Sequence, residues 1–444
     1  MRTLALVLAN TLLALGFLAA QAPPPKAPPA ADDPPLLARA RAIHDAVLTL
    51  DTHKDISPAL ATDPGKDDDE TQRERYRQQF DPTVRGSNQV DFPKCREGGY
   101  DCAFYIVYVG QGNNDPAAWR RAKQQAMLKF DAIDRMCAKF PAEIALARTP
   151  QEVRDIQASG RLVACIGIEN GYPMGDDVAA VEEFWRRGAR YMSICHNRHS
   201  QLGDSHTPAE PLHGGLSELG RKAIAEMNRW GVMVDVSHSA KSTMLQALAS
   251  SKAPVLASHS GCRAVRDHGR NLDDEQLDAL KKNGGVIQCV ALGSFVKDDG
   301  ARDAALATVR EGLGLPSRRE LARMREAGEL TAEVEGKLAQ LTERTAAIEQ
   351  RFPAANVADF VDHIDHAVRR IGIDHVGISS DFDGGGGVVG WNDASETFQV
   401  TLELVRRGYT QEQIAKIWSG NTLRLWGEVE AVARRLQAAA RGGR

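Results

Sequence analysis

The 444-residue chain has no block of lysine and arginine residues, and its formal net charge is −4. Proteins that bind nucleic acid through its phosphates usually carry a basic patch, so this composition gives no support to nucleic-acid binding. None of the cysteine spacings matches a zinc knuckle. A Gly-x-Gly-x-x-Gly motif is also missing after the first predicted strand, which argues against a dinucleotide-binding open sheet.

The seven cysteines are an odd number, so at least one stays unpaired unless it bonds to another chain. Cys165, Cys195 and Cys289 lie in apolar, strand-like runs, and we predict that they are buried small hydrophobes rather than metal ligands. Cys95 and Cys102 flank Arg-Glu-Gly-Gly-Tyr-Asp and could form a disulfide in an oxidising compartment.

The first residues have the pattern of an export signal. Arg2 supplies a positive charge, residues 4–20 are almost entirely apolar, and small residues at 19–22 offer a cleavage site. A retained membrane anchor is the weaker alternative, because the run is at the short end of the roughly 17–25 residues that a spanning helix needs. Residues 21–35 are proline-rich and predict an extended linker. We therefore expect residues 1–20 to be a signal peptide and the folded part to be periplasmic or secreted, without stable membrane insertion after cleavage.

Apolar runs alternate with helical stretches along the rest of the chain. Most of these runs are continuously apolar, as in parallel strands that are covered on both faces. The predicted strands lie near 46–52, 102–109, 162–168, 189–195, 232–237, 254–258, 284–291 and 375–380, and the clearest helices between them are 116–139, 177–187, 217–230, 240–250 and 273–282. This alternation predicts an α/β protein with a closed, TIM-like (β/α)8 barrel, and an open doubly wound sheet is the competing fold.

Two insertions interrupt the alternation. Residues 61–90 are polar and predict a surface loop near the first strand, and residues 300–350 predict one or two solvent-facing helices. Residues 396–407 and 410–439 are predicted to be closing helices. We interpret residues 36–444 as a single barrel domain with a helical insertion at about 300–350.

Side chains capable of metal chemistry follow several of the predicted strands. The C-terminal ends of the strands are where a (β/α)8 barrel builds its active site. A lone histidine or carboxylate at such a place is usually structural, but its recurrence after five strands predicts a shared site. The residues concerned are His53, Asp55, Glu169, His238, His259 and Asp381.

Five of these residues suit a pair of divalent metal ions. His53 and Asp55 are two residues apart and point to the same side of an extended segment, so they could hold one ion together. His238 and His259 could hold a second ion, and Glu169 could bridge the two. Mixed imidazole and carboxylate ligands suit Zn²⁺ best, although Mn²⁺ or Co²⁺ could occupy such a site. Two ions about 3.5–4 Å apart activate a bridging water and polarise a carbonyl oxygen.

Motifs that fall in order between about residues 37 and 435 resemble those of one known enzyme family. They are Leu50-Asp-Thr-His-Lys-Asp55, Gly167-Ile-Glu-Asn-Gly171, the segment 188–197, Leu202-Gly-Asp-Ser205, the segment 215–220, Val234-Asp-Val-Ser-His238, Ser258-His-Ser260, Arg270-Asn271 and the segment 374–384. The family is the membrane (renal) dipeptidases, zinc peptidases of the amidohydrolase-like superfamily. Thr52 and Lys54 depart from the family, which usually has Gly and Asn there, and Lys54 is expected to point away from the metals.

The resemblance implies a role for each motif residue. His53, Asp55 and Glu169 would bind one zinc, and Glu169, His238 and His259 would bind the other. His196 would bind the substrate and help to stabilise the tetrahedral intermediate. Arg270 would take the substrate carboxylate, a task that suits its planar fork, with Arg263 and Arg266 as rival clamps. Asp381 would carry the proton from the bridging water to the leaving amine.

The resemblance therefore implies a zinc dipeptidase that cleaves dipeptides by metal-activated hydroxide, and the predicted signal peptide implies that it is exported. It also allows a D-residue at the C-terminal position of the substrate and suggests a homodimer. One alternative is a metal-dependent amidohydrolase or lactonase that acts on a non-peptide substrate, for which a carboxylate clamp such as Arg270 would be unnecessary. Another is a non-catalytic binding protein on the same barrel.

Overall fold

The computed structural model describes residues 33–442 except 67, 318–319, 322–323 and 325–329. The predicted signal peptide and most of the predicted linker lie outside these residues. The end of the linker does not, because a helix begins at Pro34. Among the described residues, every helix is too short or too polar to cross a membrane.

The described strands all pair in parallel and belong to one sheet. They are β1 Leu50–Asp55, β2 Cys102–Tyr108, β3 Ile144–Leu146, β4 Leu162–Glu169, β5 Ala189–Ser193, β6 Met233–Asp235, β7 Leu256–Ser260, β8 Val286–Val290 and β9 Val376–Ser379. Their order is β1-β2-β4-β5-β6-β7-β8-β9, and the short β3 pairs only with β4. The sheet curls back on itself, since the Asp55 N–H donates to the Phe382 carbonyl just beyond β9, at 2.9 Å. The predicted (β/α)8 barrel is confirmed.

Helices connect the strands with bounds close to the predicted ones. Ser217 caps one of them by accepting a hydrogen bond from the Gly220 N–H, and that helix stops at Gly231, whose φ of 78° suits glycine. The helices are α1 Pro34–Ala46, α2 Glu70–Phe80, α3 Phe92–Gly98, α4 Pro116–Lys139, α5 Pro150–Ala158, α6 Ala180–Arg186, α7 Glu218–Trp230, α8 Lys241–Ser250, α9 Asp274–Asn283, α10 Gly293–Val296, α11 Gly300–Gly312, α12 Ala332–Arg351, α13 Val357–Ile371, α14 Phe398–Arg406, α15 Gln411–Ala415 and α16 Asn421–Gly442. Short 3₁₀ helices lie at Tyr172–Met174, Ile373–His375 and Ala394–Glu396, and a π-helical turn at Lys416–Gly420 separates α15 from α16.

Two details differ from the sequence-based prediction. The first strand begins at Leu50 rather than near residue 46, because α1 runs to Ala46. The segment 61–90, predicted as a loop, contains α2, which starts with a capping box formed by Asp69 and Gln72. No residue of α2 is buried, so an apolar stripe that would have revealed the helix is missing. The insertion at 300–350 does hold helices, and α11 and α12 have no buried residue either.

The cysteines are all free thiols, so the disulfide considered between Cys95 and Cys102 is not formed. Cys102 points into the barrel, where its sulfur lies 3.8 Å from the sulfur of Cys165. Cys95 belongs instead to the apolar layer between the sheet and the helices. The two side chains therefore lie on opposite faces of the sheet. Cys165, Cys195 and Cys289 are buried, as predicted.

Candidate metal centre

The predicted ligands and Asp381 all lie at the C-terminal end of the barrel. His53 and Asp55 lie at the end of β1, Glu169 ends β4, and His259 is the next-to-last residue of β7. His238 and Asp381 follow β6 and β9 within three residues. Together with His196, they form three overlapping groups whose ligand atoms lie within 4.8 Å of one another. The shared position of the strand ends brings together side chains that are far apart in the sequence.

Glu169 stands between two sets of ligands. Its Oε2 lies 3.6 Å from His53 Nε2. Its Oε1 lies 2.9 Å from His238 Nε2 and 3.4 Å from His259 Nε2. One oxygen therefore faces each set, which is the arrangement that a carboxylate bridging two ions requires.

The ring nitrogen of His53 faces two further carboxylates. Its Nε2 lies 3.7 Å from Asp55 Oδ2 and 3.6 Å from Asp381 Oδ1. These separations exceed a hydrogen bond but are close to the roughly 3.3–3.5 Å between two ligand atoms of one tetrahedral zinc with bonds of about 2.0–2.1 Å. Asp55 Oδ1 is buried and accepts no hydrogen bond from any described residue, although the Lys129 ammonium lies 3.8 Å from it. The group thus has the spacing and the spare oxygen that a cation would use.

His238 and His259 place two ring nitrogens against each other, with Nε2 atoms 2.9 Å apart. Burial, reinforced by Arg270, lowers the pKa of both rings well below the usual value, so both are neutral. His238 Nδ1 donates to Asn197 Oδ1 at 3.0 Å, and His259 Nδ1 lies 2.8 Å from Ser258 Oγ. Each Nε2 is then left with a lone pair. Two lone pairs at this distance repel unless a cation lies between them, so the donor set fits a metal ion.

The carboxylates of the centre are buried together, and this affects their protonation. Burial raises the pKa of Glu169 to about 8 and that of Asp381 to about 7. Burial alone would lower the pKa of His53, but the charges of Glu169, Asp55 and Asp381 outweigh it and raise that pKa to about 9. A divalent cation among these groups would displace their protons, because metal ligands bind in their deprotonated forms.

Several ligands of the centre line a cavity of about 260 Å³. His196 and Arg270, the two other predicted site residues, line it as well. His196 Nε2 lies 3.6 Å from Glu169 Oε1, and burial lowers the pKa of the ring to about 4. Arg270 is buried and donates to the His259 carbonyl at 2.9 Å, while its Nε has no partner among the described residues. The rival clamps Arg263 and Arg266 do not line this cavity. Arg270 is therefore the arginine that can reach a substrate beside the centre.

Two of the side chains in the site are positioned by residues with a strained backbone conformation. His238 and Asp381 have φ values of 66° and 58°, in the left-handed region that non-glycine residues rarely adopt. Gly384 follows Asp381 closely, and a Cβ there would lie 2.4 Å from Asp55 Oδ2. Only glycine allows the chain to pass this close to the carboxylates. Lys54 points away from them, as expected, and its ammonium lies 3.0 Å from Asp383 Oδ2.

Comparisons with known proteins agree with the site. The model of the membrane dipeptidase family, peptidase family M19, matches residues 37–440. The chain belongs to this family. Its members are metal-dependent dipeptidases, and the chain is therefore a metallo-dipeptidase, as the motifs predicted.

Individual relatives of this dipeptidase cover most of its length. Dipeptidase aclJ from Aspergillus oryzae is 30% identical over 366 residues, which span 81% of this chain and 75% of the fungal protein. The crystal structure of the probable dipeptidase PvdM from Pseudomonas aeruginosa is 31% identical, covers 90% of this chain and 99% of its own, and superposes with a TM-score of 0.72. A metallo peptidase from Rhodobacter sphaeroides, liganded with a phosphinate mimic of the dipeptide L-Ala-D-Ala, shares the fold at 22% identity, with 86% and 99% coverage and a TM-score of 0.64.

The sequence did not reveal which residues contact the Nδ1 atoms of the dipeptidase's histidines, on the side of each ring away from the metal centre. Asn197 directly follows His196, and Ser258 precedes His259, so their positions in the motifs were visible but their contacts were not. Tyr191 lies in the middle of β5 and has the pattern of an ordinary core residue. Its hydroxyl nevertheless lies 3.2 Å from His53 Nδ1. Its place in the motif segment 188–197 and the glycine at the facing position of β4, Gly167, are the sequence signals that could have pointed to it.

Proposed function

We propose that the enzyme cleaves dipeptides with two zinc ions, one held by His53, Asp55 and Glu169 and the other by Glu169, His238 and His259. The observation that supports this most strongly is Glu169, whose two oxygens face the two sets of ligands. Mixed imidazole and carboxylate donors favour Zn²⁺, and Mn²⁺ or Co²⁺ would fit the same set. Such ions, when bound, polarise a carbonyl group and lower the pKa of water.

Asp381 is the residue best placed to carry a proton during the reaction. It is buried beside His53, and it lines the cavity that would hold the scissile bond. It would accept a proton from the attacking water and donate it to the leaving amine. His196 lines the same cavity as a neutral ring, and one N–H of the ring would donate to the carbonyl oxygen as negative charge develops there.

Arg270 gives the site its preference for short substrates with a free carboxylate. Its guanidinium is buried in the cavity wall, and the unpaired Nε leaves donor capacity for a planar anion. A dipeptide reaches from the metal centre to such a clamp with its own C-terminus. A neutral lactone has no carboxylate that Arg270 could bind. The preferred test compares a panel of dipeptides, with L- and D-residues at the C-terminal position, against their C-terminal amides and a lactone.

D-residues belong in this panel because the Rhodobacter sphaeroides enzyme of the same fold was solved with a mimic of L-Ala-D-Ala. Hydrolysis of free dipeptides and weak hydrolysis of the amides would support the proposal. Hydrolysis of the lactone without hydrolysis of any dipeptide would contradict it.

The Arg270→Ala variant should raise the KM for dipeptides about 10–150-fold, because a charge-assisted hydrogen bond of about 1.5–3 kcal/mol is lost. The loss should be much smaller for the amides, which lack the carboxylate. Arg263→Ala is the matched control, since its guanidinium contacts nearby backbone carbonyls and Asp267 outside this cavity, and its loss should leave KM unchanged. An unaltered KM in the Arg270 variant would move the carboxylate clamp to another residue.

We also propose that residues 36–444 form a single exported domain after removal of residues 1–20, and that the enzyme is a homodimer. The support is the positive and apolar character of the first residues and the resemblance to the family. The intact mass of the protein recovered from its cell envelope tests the cleavage, and a mass that includes residues 1–20 would contradict it. Sedimentation of the full chain tests the dimer, and a single monomeric species would contradict that.

A further inference from the structure

Each histidine of the centre must present Nε2 with a free lone pair, and this depends on what holds its other nitrogen. A neutral imidazole carries one N–H, so an acceptor at Nδ1 fixes the tautomer in which Nε2 can bind a metal. The oxygen atoms that meet Nδ1 of His53 and Nδ1 of His259 come from different residues. The difference matters because these two histidines face opposite oxygens of Glu169.

Tyr191 supplies the oxygen for His53. Its hydroxyl donates to the Thr52 carbonyl at 2.9 Å, which uses the only hydrogen on that oxygen. The contact with His53 Nδ1, at 3.2 Å, must therefore have the imidazole N–H as the donor. The tyrosine thus accepts from Nδ1 and leaves Nε2 of His53 free to face the carboxylates.

Tyr191 reaches His53 from a strand that is not its neighbour. The side chain of Tyr191 is fully buried and extends through the barrel interior from β5 to β1. Gly167 on β4 makes room for the ring, since a Cβ at that glycine would lie 2.2 Å from Tyr191 Cζ. The absence of a side chain at Gly167 therefore lets Tyr191 pack in the core and contact His53 with its hydroxyl group.

Ser258 supplies the oxygen for His259, and the Asp235 carboxylate in turn holds the Ser258 hydroxyl. The Ser258 hydroxyl donates to Asp235 Oδ2 at 2.6 Å and so accepts from His259 Nδ1 at 2.8 Å. Asp235 is held in turn by the backbone N–H groups of Ser237 and Ser258, at 3.0 and 2.9 Å. Partners of this kind orient a ligand ring and increase its basicity.

We propose that Tyr191 and Ser258 are positioning residues for different metal ions, Tyr191 for the ion at His53 and Asp55, and Ser258 for the ion at His238 and His259, although the two hydroxyl groups also interact with each other. This rests on the proposed function, because it takes the ligand sets from there. Removal of one such partner typically weakens metal binding about 10–100-fold. Each variant should therefore weaken one of the two binding steps much more than the other, with a small effect on the second step through the contact between the two hydroxyl groups.

The test is a titration of metal-depleted, full-length protein with Zn²⁺ against a chromophoric chelator, which reports two dissociation constants without any substrate. Tyr191→Phe and Ser258→Ala should each raise one constant about 10–100-fold, and the double variant should raise both. Ser258→Thr keeps a hydroxyl and should restore binding. In an Asp55→Asn background, which lacks one ligand of the first ion, Tyr191→Phe should have little further effect, whereas Ser258→Ala should keep its full effect.

Two controls remove buried hydroxyl groups that do not contact the histidines. Tyr105 lies in the layer between sheet and helices, and Ser379 Oγ is buried without a hydrogen-bond partner among the described residues. Tyr105→Phe and Ser379→Ala should leave both constants unchanged. Unchanged constants in Tyr191→Phe, or an equal loss at both sites, would overturn the inference while wild-type protein still bound two ions. If wild-type protein bound fewer than two ions, the proposed function itself would fail.

Discussion

Replacement of Asp381 by asparagine should lower kcat about 100- to 10,000-fold, the range that a positioned proton carrier contributes. Asparagine keeps the size of the side chain and tolerates the left-handed backbone at this position, where φ is 58°. It cannot take up a proton from water and pass it to the amine. Zinc content and the KM for dipeptides should change little, because the fall in kcat arises in the chemical step.

The measurement is steady-state hydrolysis of a dipeptide together with the zinc content of the same protein samples. Asp374→Asn is a matched control, because Asp374 lies near the opposite end of the same strand and pairs with Lys416 at 2.9 Å. It should retain full activity. Full activity in Asp381→Asn, at unchanged zinc content, would eliminate the proton-carrying role.

Glu169→Ala should lose one or both metal ions and, with them, essentially all activity. The carboxylate is the only described side chain with one oxygen facing His53 and the other facing His238 and His259. Its removal takes a ligand from each ion and leaves two sets of donors too small to hold zinc well. Elemental analysis of the purified protein measures the effect directly.

Two comparison variants sharpen the result for Glu169. Glu169→Gln keeps the shape but has one carbonyl oxygen and no charge, so it should also fall below two ions. Asp55→Asn affects only one set of ligands and should lose no more than one ion. Two zinc ions retained in Glu169→Ala would refute the bridging assignment.

The barrel could be predicted because its strands are buried on both faces and read as continuous apolar runs. That pattern located the strand of Glu169 and the strand of His259. It was less accurate for β1, whose predicted end lies before His53 and Asp55. These polar residues interrupt the apolar pattern although they belong to the strand. The helix α2 was missed because it has no buried face. The helices α11 and α12 also have no buried residue, and they were predicted from their composition rather than from an apolar stripe.

The histidines and carboxylates of the centre could be predicted from their places at strand ends, but their supporting contacts could not. Tyr191 meets His53 across the barrel, 138 positions away in the sequence. Asp235 meets Ser258 from a neighbouring strand, 23 positions away. Such contacts depend on strand order and register, which residue types alone do not encode. The disulfide considered between Cys95 and Cys102 is absent for a related reason, because the two residues lie close in sequence but on opposite faces of the sheet.

The most direct test of a two-zinc dipeptidase is a titration of metal-depleted enzyme with zinc while the hydrolysis of a free dipeptide is followed. Activity should be near zero without metal and should rise to a plateau at two equivalents of zinc per chain. The C-terminal amide of the same dipeptide should remain a poor substrate throughout the titration. A plateau at one equivalent, or full activity in the metal-depleted protein, would contradict the account.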